Sequence, residues 1–395
     1  MNRPEKLRIS VIGPSTRFLS GISYYTIRLC NALSEKNLIQ AVLFRNMLPK
    51  RLFPGWKRVG ETVVTGGINS SVNVYEILDW YNPFTWAYAA RIIRKSDFII
   101  LEWWTSSIVH MYIAILFLCT KKCRYIIEFH EVVDPLESGI LPLRLYAKIG
   151  GRIIRRSASR FVVHSEYDRE LISQQYRIQP SRIAVIPHGL YDQYEVLDME
   201  QSKKKLGLSG KYVILFFGLL RPYKGVIHLI RAFENLQKDI LDNSVLVIAG
   251  ETWEDQDSVT AAEKSPYSDK IKIYNRYIAD DEIPDFFSAA DLLVLPYTRA
   301  SQSGVAHIGI VYGLPIIASK VGGLTEGLGS YQGTRFIPPS DMSELKSAIK
   351  SSYLNTTAVR YEPPDELRWN VISRRFLEEM EICINNKDIY LKKSN

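Results

Sequence analysis

Arg221 and Lys224 stand three residues apart, and that pair is the first place in the chain where chemistry can be read from residue type and spacing. A guanidinium is a planar fork and an ammonium a mobile point charge, so together they suit two phosphates at slightly different distances. They lie in Phe216–Gly225, after the apolar run Tyr212–Leu215 and ahead of an amphipathic helical pattern. A strand that delivers a glycine turn at Gly218 and then a helix start aims backbone N–H groups and the positive end of the helix dipole at one point. A solvated basic turn has the same composition, so this stretch alone leaves both readings open. Ser301, Gln302, Ser303 and Gly304 follow the buried-strand pattern Asp291–Pro296 and open a helix to Tyr312. Small residues there let amides approach a phosphate or sugar oxygen, although a serine N-cap needs no ligand. Asn275–Ile278 precedes an acidic helix start and offers main chain, including that of Ile278, to a flat base; an ordinary loop and cap is the alternative. His130 closes the strand Arg124–Phe129, where a histidine is either structural or a hydrogen-bonding and proton-handling group, with Glu131 beside it.

The elements that must position these residues alternate throughout. Strands are predicted at Ile9–Ile12, Ala41–Phe44, Phe98–Leu101, Arg124–Phe129, Phe161–His164 and Ile183–Ile186, with helices between most of them. A second series follows at Tyr212–Phe216, Val245–Ala249, Ile271–Tyr274, Leu292–Leu295, Ile316–Ala318 and Arg335–Ile337. This alternation is the signature of parallel α/β sheets, and 395 residues exceed one ordinary core. We therefore expect two doubly wound Rossmann-like domains facing across a cleft, at 1–195 and 196–365. A linker with a short helix is expected over Tyr191–Gly210, and a helix in 366–395 is expected to pack back toward the first domain. Ligands of such sheets sit beyond the carboxyl ends of the strands, which gathers Gly13–Gly21, Glu102–Trp104, His130–Asp134 and Pro187–Gly189.

Composition narrows the classes. Four scattered cysteines make no disulfide framework, imply a reducing compartment and offer no zinc-site spacing, so no metal is expected. The apolar run Ile108–Cys119 is too short for a bilayer span and reads as a buried core helix. With a polar start at Met1–Arg8, a cytoplasmic location is expected. Residues 1–195 hold 26 lysines and arginines against 16 acidic residues, and the remainder holds 24 against 26. The net positive charge thus belongs to the first half, pointing to an anionic surface or substrate there. No nucleic-acid-binding module is visible, so nucleic acid is not an expected partner.

In order, Phe217-Gly218 to Lys224-Gly225, Ile248–Glu251, Asn275–Glu282, Ala289–Asp291, Leu295-Pro296, Gly313–Ala318 and Val321–Glu326 resemble the retaining, nucleotide-sugar-dependent glycosyltransferases of family four, of glycosyltransferase B fold. Ser20-Gly21, His130 and Val185–Gly189 extend the resemblance weakly into the first half. The resemblance implies that Arg221 and Lys224 hold the donor diphosphate, that Gly21 approaches the transferred sugar or phosphate, and that His130 meets the donor sugar near the reacting carbon. It implies a nucleoside diphosphate sugar as substrate and no separate cofactor. One departure is plain: the two helix glutamates of many relatives fall on Ala300 and Ile308, and Gln302-Ser303-Gly304 resembles a Ser-Gly branch of the family. That puts the ribose contact and sugar preference in question more than the diphosphate grip.

Between Leu141 and Arg156, Arg144, Lys148, Arg152 and Arg155 recur at four, four and three beside an apolar stripe of Leu145, Ile149 and Ile153. Such a helix suits an anionic membrane surface or a lipid-linked diphosphate acceptor, and equally an ordinary solvated face. The expected activity is sugar transfer to a glycan or lipid-linked acceptor with retention, without metal, by a protein peripheral on the inner membrane face. A catalytically silent nucleotide-sugar-binding protein, or an epimerase or phosphorylase of the same fold, is the alternative.

Overall fold

The computed structural model describes residues 6–17, 21–47, 67–119, 124–132, 135–138, 140–356 and 360–385. Ser20, Cys123, Asp134 and the tail 386–395, all part of the expectations above, lie outside these residues. The chain divides into two compact units, Met1–Gly189 with Arg368–Asn395, and Leu190–Leu367.

The first unit runs β1 (Arg8–Gly13), α1 (Gly21–Ser34), β2 (Leu38–Asn46), β3 (Asn73–Asp79), α2 (Pro83–Ile93), β4 (Phe98–Trp103), α3 (Val109–Leu118), β5 (Arg124–Phe129), α4 (Leu141–Ser157), β6 (Arg160–Val163), α5 (Glu166–Tyr176) and β7 (Ile183–Val185). Its seven strands are ordered β3-β2-β1-β4-β5-β6-β7, and every pairing is parallel. Strands such as Phe98–Trp103 are buried along their whole length because helices cover both faces, which is why they read as continuous apolar runs. One face packs Ala89, Val109, Ile154 and Ile172 from four successive helices; the other packs Tyr25 and Leu29 with Trp369, Ile372, Phe376 and Met380. The latter four belong to the last helix, Trp369–Asn385, which Arg160 also anchors by donating its Nε hydrogen to Glu379 Oε2 at 2.7 Å.

The second unit runs α6 (Met199–Leu206), β8 (Tyr212–Phe217), α7 (Val226–Glu234), α8 (Lys238–Asn243), β9 (Ser244–Ala249), α9 (Gln256–Glu263), β10 (Ile271–Tyr274), α10 (Ile283–Ala289), β11 (Leu292–Leu295), α11 (Gly304–Val311), β12 (Ile316–Ser319), α12 (Gly322–Gly327), β13 (Thr334–Ile337) and α13 (Met342–Leu354). The six strands are ordered β10-β9-β8-β11-β12-β13, again all parallel. Both units are thus doubly wound α/β sheets. In each, the order reverses beside the first strand, between β1 and β4 and between β8 and β11, and a crevice opens at such a switch point.

Two expectations need correction. The edge strand Asn73–Asp79 was not predicted: its outward residues are half-exposed and its sequence carries a charge, so it lacks the apolar run that marked the central strands. Val109–Leu118 is not wholly a buried core helix, for Val109, Met111, Tyr112 and Ile115 are buried while Phe117 is 84% exposed.

Candidate active site

In the second unit, β8 ends in the crevice and the chain must turn sharply. Gly218 has φ +113° and Gly225 φ +66°, backbone that L side chains rarely adopt. A Cβ on Gly225 would overlap the Pro296 carbonyl oxygen, and one on Gly250 would overlap that of Gly218. Glycine therefore lets the ends of β8, β9 and β11 close to backbone contact. The short turn Pro222–Lys224 is tied down by Thr298 N–H donating to the Tyr223 carbonyl at 2.8 Å.

That turn presents the cations. Lys224 Nζ donates to the Tyr297 hydroxyl at 2.8 Å and lies 4.2 Å from the centre of its ring. A Cβ on Gly218 would sit 4.0 Å from the same Nζ, so the ammonium overhangs the bare glycine backbone. Arg221 stacks over Trp253 at 5.0 Å, and its Nε is buried with no hydrogen-bond partner among the described residues. Neither cation has a carboxylate counter-ion among those residues. A buried guanidinium nitrogen left unpaired costs free energy unless a ligand completes it, and an anion would.

The helix start beside this cradle is ordered from within: Ser303 caps α11, its Oγ accepting from Ala306 N–H and lying 3.4 Å from the Tyr297 hydroxyl. The same tyrosine thus bridges Lys224 and the cap. Gln302 Nε2 is buried without a partner among the described residues, and a Cβ on Gly327 of α12 would come within 3.2 Å of its Oε1. Gly304 packs against Tyr191, Ala300 is in the preceding loop, and Ile308 is buried in α11. Ile278 is 4% exposed in the loop after β10, where Arg276 clamps Glu282 with two bonds of 2.6 and 2.5 Å.

In the first unit, two carboxylates lie inside the sheet. Glu102 on β4 and Glu128 on β5 are register partners, both fully buried. Consecutive residues of α1 reach them, Tyr25 donating its hydroxyl hydrogen to Glu128 Oε1 at 2.5 Å and Thr26 to Glu102 Oε2 at 2.6 Å. Burial raises both carboxyl pKa values, and the pair repels a second negative charge, so at least one proton is retained near neutrality.

Above them is His164, whose Nδ1–H donates to the Ile186 carbonyl at 3.0 Å. That bond leaves Nε2 as an acceptor, and it faces His130 Nδ1 at 3.3 Å, with Glu128 Oε1 at 3.8 Å. His130 therefore carries its hydrogen on Nδ1 and keeps a lone pair on Nε2, a buried atom with no hydrogen-bond partner among the described residues. Burial lowers both histidines, His164 to about 4, so the pair is neutral. Tyr25 packs edge-on against His130 and also touches the His164, His188 and Trp369 rings.

Glu128, His130 and His164 are close enough together to tempt a metal-site reading. Two of the would-be ligand atoms, His164 Nε2 and His130 Nδ1, instead face each other at hydrogen-bonding distance, and the Glu128 oxygen on that side already accepts from Tyr25. The donor set fits a hydrogen-bond relay rather than a cation.

Gly21 begins α1 and is exposed, and Glu131 is exposed beside His130. Glu102 was expected only as part of the ligand-side segment Glu102–Trp104, and nothing in the sequence singled out Tyr25, Glu128 and His164 in this unit or Trp253 and Tyr297 in the other. A carboxylate within each of the apolar runs Phe98–Trp103 and Arg124–Phe129 was the available signal.

On the face of α4, Arg144, Lys148 and Arg152 are exposed, but Arg155 leaves the stripe and stacks on Tyr176 at 3.7 Å. The regular fourth cation is Arg156, which is exposed.

Two family models match the chain, "Glycosyl transferases group 1" over residues 198–367 and "Glycosyltransferase Family 4" over residues 19–193. This chain belongs to glycosyltransferase family 4. Among its relatives is the 2-deoxystreptamine glucosyltransferase of Streptomyces kanamyceticus, 28% identical over 155 residues, which are 39% of this chain and 40% of that protein. The chain spans under half the length of the first such curated relatives. The glycosyltransferase of Rickettsia africae has the same fold, with a TM-score of 0.67 at 14% identity over 97% of this chain and all of that one. HepE of Anabaena, solved in complex with UDP, matches with a TM-score of 0.63 at 16% identity over 95% of each chain. These likenesses make both units of this family 4 member parts of a glycosyltransferase B fold.

Proposed function

We propose that this protein transfers a sugar from a nucleoside diphosphate sugar to a hydroxyl of a glycan or lipid-linked acceptor, with retention at the anomeric carbon and without a metal. The observation that carries the reading is the cradle of Gly218, Arg221 and Lys224, two cations over a glycine turn that have no counter-ion among the described residues, one with a buried nitrogen unpaired among them. A diphosphate supplies what that site lacks. Support comes also from HepE, which has the same fold and has been solved with UDP-glucose.

As the bond from anomeric carbon to diphosphate breaks, its electron pair passes to the leaving oxygen. Fixed cations aimed at that oxygen stabilise the transition state more than the ground state. Arg221 and Lys224 take the role a metal would otherwise fill. His130, with its hydrogen committed to His164, offers Nε2 to accept a hydrogen bond from a sugar hydroxyl. Retention rests on the family pattern of motifs. Buried Gln302 Nε2 and the Ser303-Gly304 helix start are assigned to the sugar and phosphate oxygens, the main chain at Ile278 to the base, and Gly21 to the approach of the transferred group.

The test is a donor screen. UDP, GDP, ADP and dTDP are compared for the rise in melting temperature each produces, since a ligand of the folded state stabilises it by mass action. Diphosphate release from the matching sugar nucleotides is then measured with mixed acceptors. The absence of Glu at Ala300 and Ile308 favours a second reading, a silent binder, and it would be shown by stabilisation without turnover under any donor. No stabilisation by any diphosphate would end both readings.

A further inference from the structure

The four-residue spacing of α4 divides it into stripes whose sizes run opposite to those of an ordinary surface helix. Its buried stripe is Ala147, Gly150, Gly151 and Ile154, three of them the smallest residues available. Gly150 lies so close to Val109 that a Cβ there would come within 2.7 Å of its side chain, so α4 packs flush on α3. The large aliphatics face outward instead: Leu141 is 57% exposed, Leu145 48%, Ile149 58% and Ile153 50%. Arg144, Lys148, Arg152 and Arg156 run one position away along the same helix, all exposed. Among its residues α4 carries no Asp or Glu to neutralise them.

We infer that this face of α4 docks on an anionic lipid bilayer, with Leu141, Leu145, Ile149 and Ile153 entering the headgroup boundary and the four cations meeting lipid phosphates. A helix lying in the interface is stabilised by an apolar stripe flanked by Lys and Arg, and each cation near an anionic surface adds to the attraction. The occupant is argued from charge and from residue type. The exposed stripe is aliphatic, which suits acyl chains and offers no aromatic platform on which nucleic acid bases could stack. No helix of the described residues is long and apolar enough to cross a membrane, so docking is in plane. This inference is independent of the donor site and would survive its failure.

The full chain is sedimented with phosphatidylcholine vesicles and with vesicles in which phosphatidylglycerol replaces part of the phosphatidylcholine. Binding only to the anionic vesicles, weakened by added salt, is the expected result. R144Q/K148Q/R152Q/R156Q should lower the partition coefficient at least about tenfold. L145Q/I149Q/I153Q should lower it similarly with the charges intact. All these side chains are exposed, and melting curves check that both variants fold. Equal binding to neutral vesicles, no wild-type binding, or no loss in the charge variant overturns the proposal. So does a wild-type dimer that the leucine and isoleucine changes dissociate in the absence of lipid, which would make the stripe a contact between copies of this chain.

Discussion

Lys224→Met keeps the length of the side chain and deletes only its charge and donors. Lys224 Nζ bonds the Tyr297 hydroxyl at 2.8 Å and has no carboxylate partner among the described residues, so removing it strands no buried counter-charge. The free protein should therefore lose no more than about 0.5 kcal/mol of stability. The cost should appear with ligand. A charge-assisted bond to a phosphate is worth about 1.5–3 kcal/mol, and two unit charges 4 Å apart near a protein surface attract by about 4 kcal/mol. Half-exposure of the ammonium screens part of this, leaving about 2–4 kcal/mol, or about 30- to 1,000-fold in kcat/KM. If charge grows on the leaving diphosphate, kcat should fall by more than KM rises. Steady-state release of the diphosphate gives the split, and calorimetry gives its Kd. A Lys224→Met protein with kcat/KM and Kd within about threefold of the parent would refute the assignment. A large fall in melting temperature would instead make Lys224 a structural residue.

Two further expectations concern the frame of the site. Gly225→Ala must hold φ +66° and push against the Pro296 carbonyl oxygen, so it should cost about 2–4 kcal/mol in denaturant unfolding, and an unchanged midpoint would contradict the backbone contact described. The buried carboxyl of Glu128 is raised to about 8, so the folded state holds a proton that the unfolded chain has lost. Stability is then greatest at low pH for this group and falls as pH rises through the window up to about 8; His130 and His164, lowered by burial, oppose that trend only below about pH 6.5. Between about pH 6.5 and 8 Glu128 should contribute a loss of about 2 kcal/mol, with buried Glu102 adding in the same direction, and Glu128→Gln should make the slope in urea titrations shallower.

What could be read from the sequence was whatever the chain encodes locally. Gly218, Arg221, Lys224 and Gly225 stand within one short stretch, and a glycine turn between strand and helix is a local signal. The continuous apolar runs of β4, β8 and β11 likewise declare buried parallel strands. Partnerships across long loops were not legible. Nothing near Lys224 says that Tyr297, 73 positions on, holds its ammonium, nor that Tyr25 reaches Glu128 across 103. Arg155 fitted the cationic periodicity of α4, yet the Tyr176 ring drew it in, an attraction that spacing on one helix cannot express. The edge strand Asn73–Asp79 escaped because partly exposed strands lose the apolar run on which the others were recognised.

The contact between Gly218 and Gly250 has a consequence for redesign. If the cradle holds a diphosphate as proposed, the phosphate end of the site is shaped by main chain, and Gly225 and Gly250 admit no Cβ without displacing a neighbouring strand end. On the proposed function, the sugar end falls to side chains at Ala300–Ser303, where the Gln302 amide nitrogen has no partner among the described residues. A variant library meant to change the donated sugar should be randomised at 300–303 and left untouched at 218, 225 and 250. Substitutions in the first set are then expected to alter which sugar is recognised, and those in the second to remove the means of holding any donor at all.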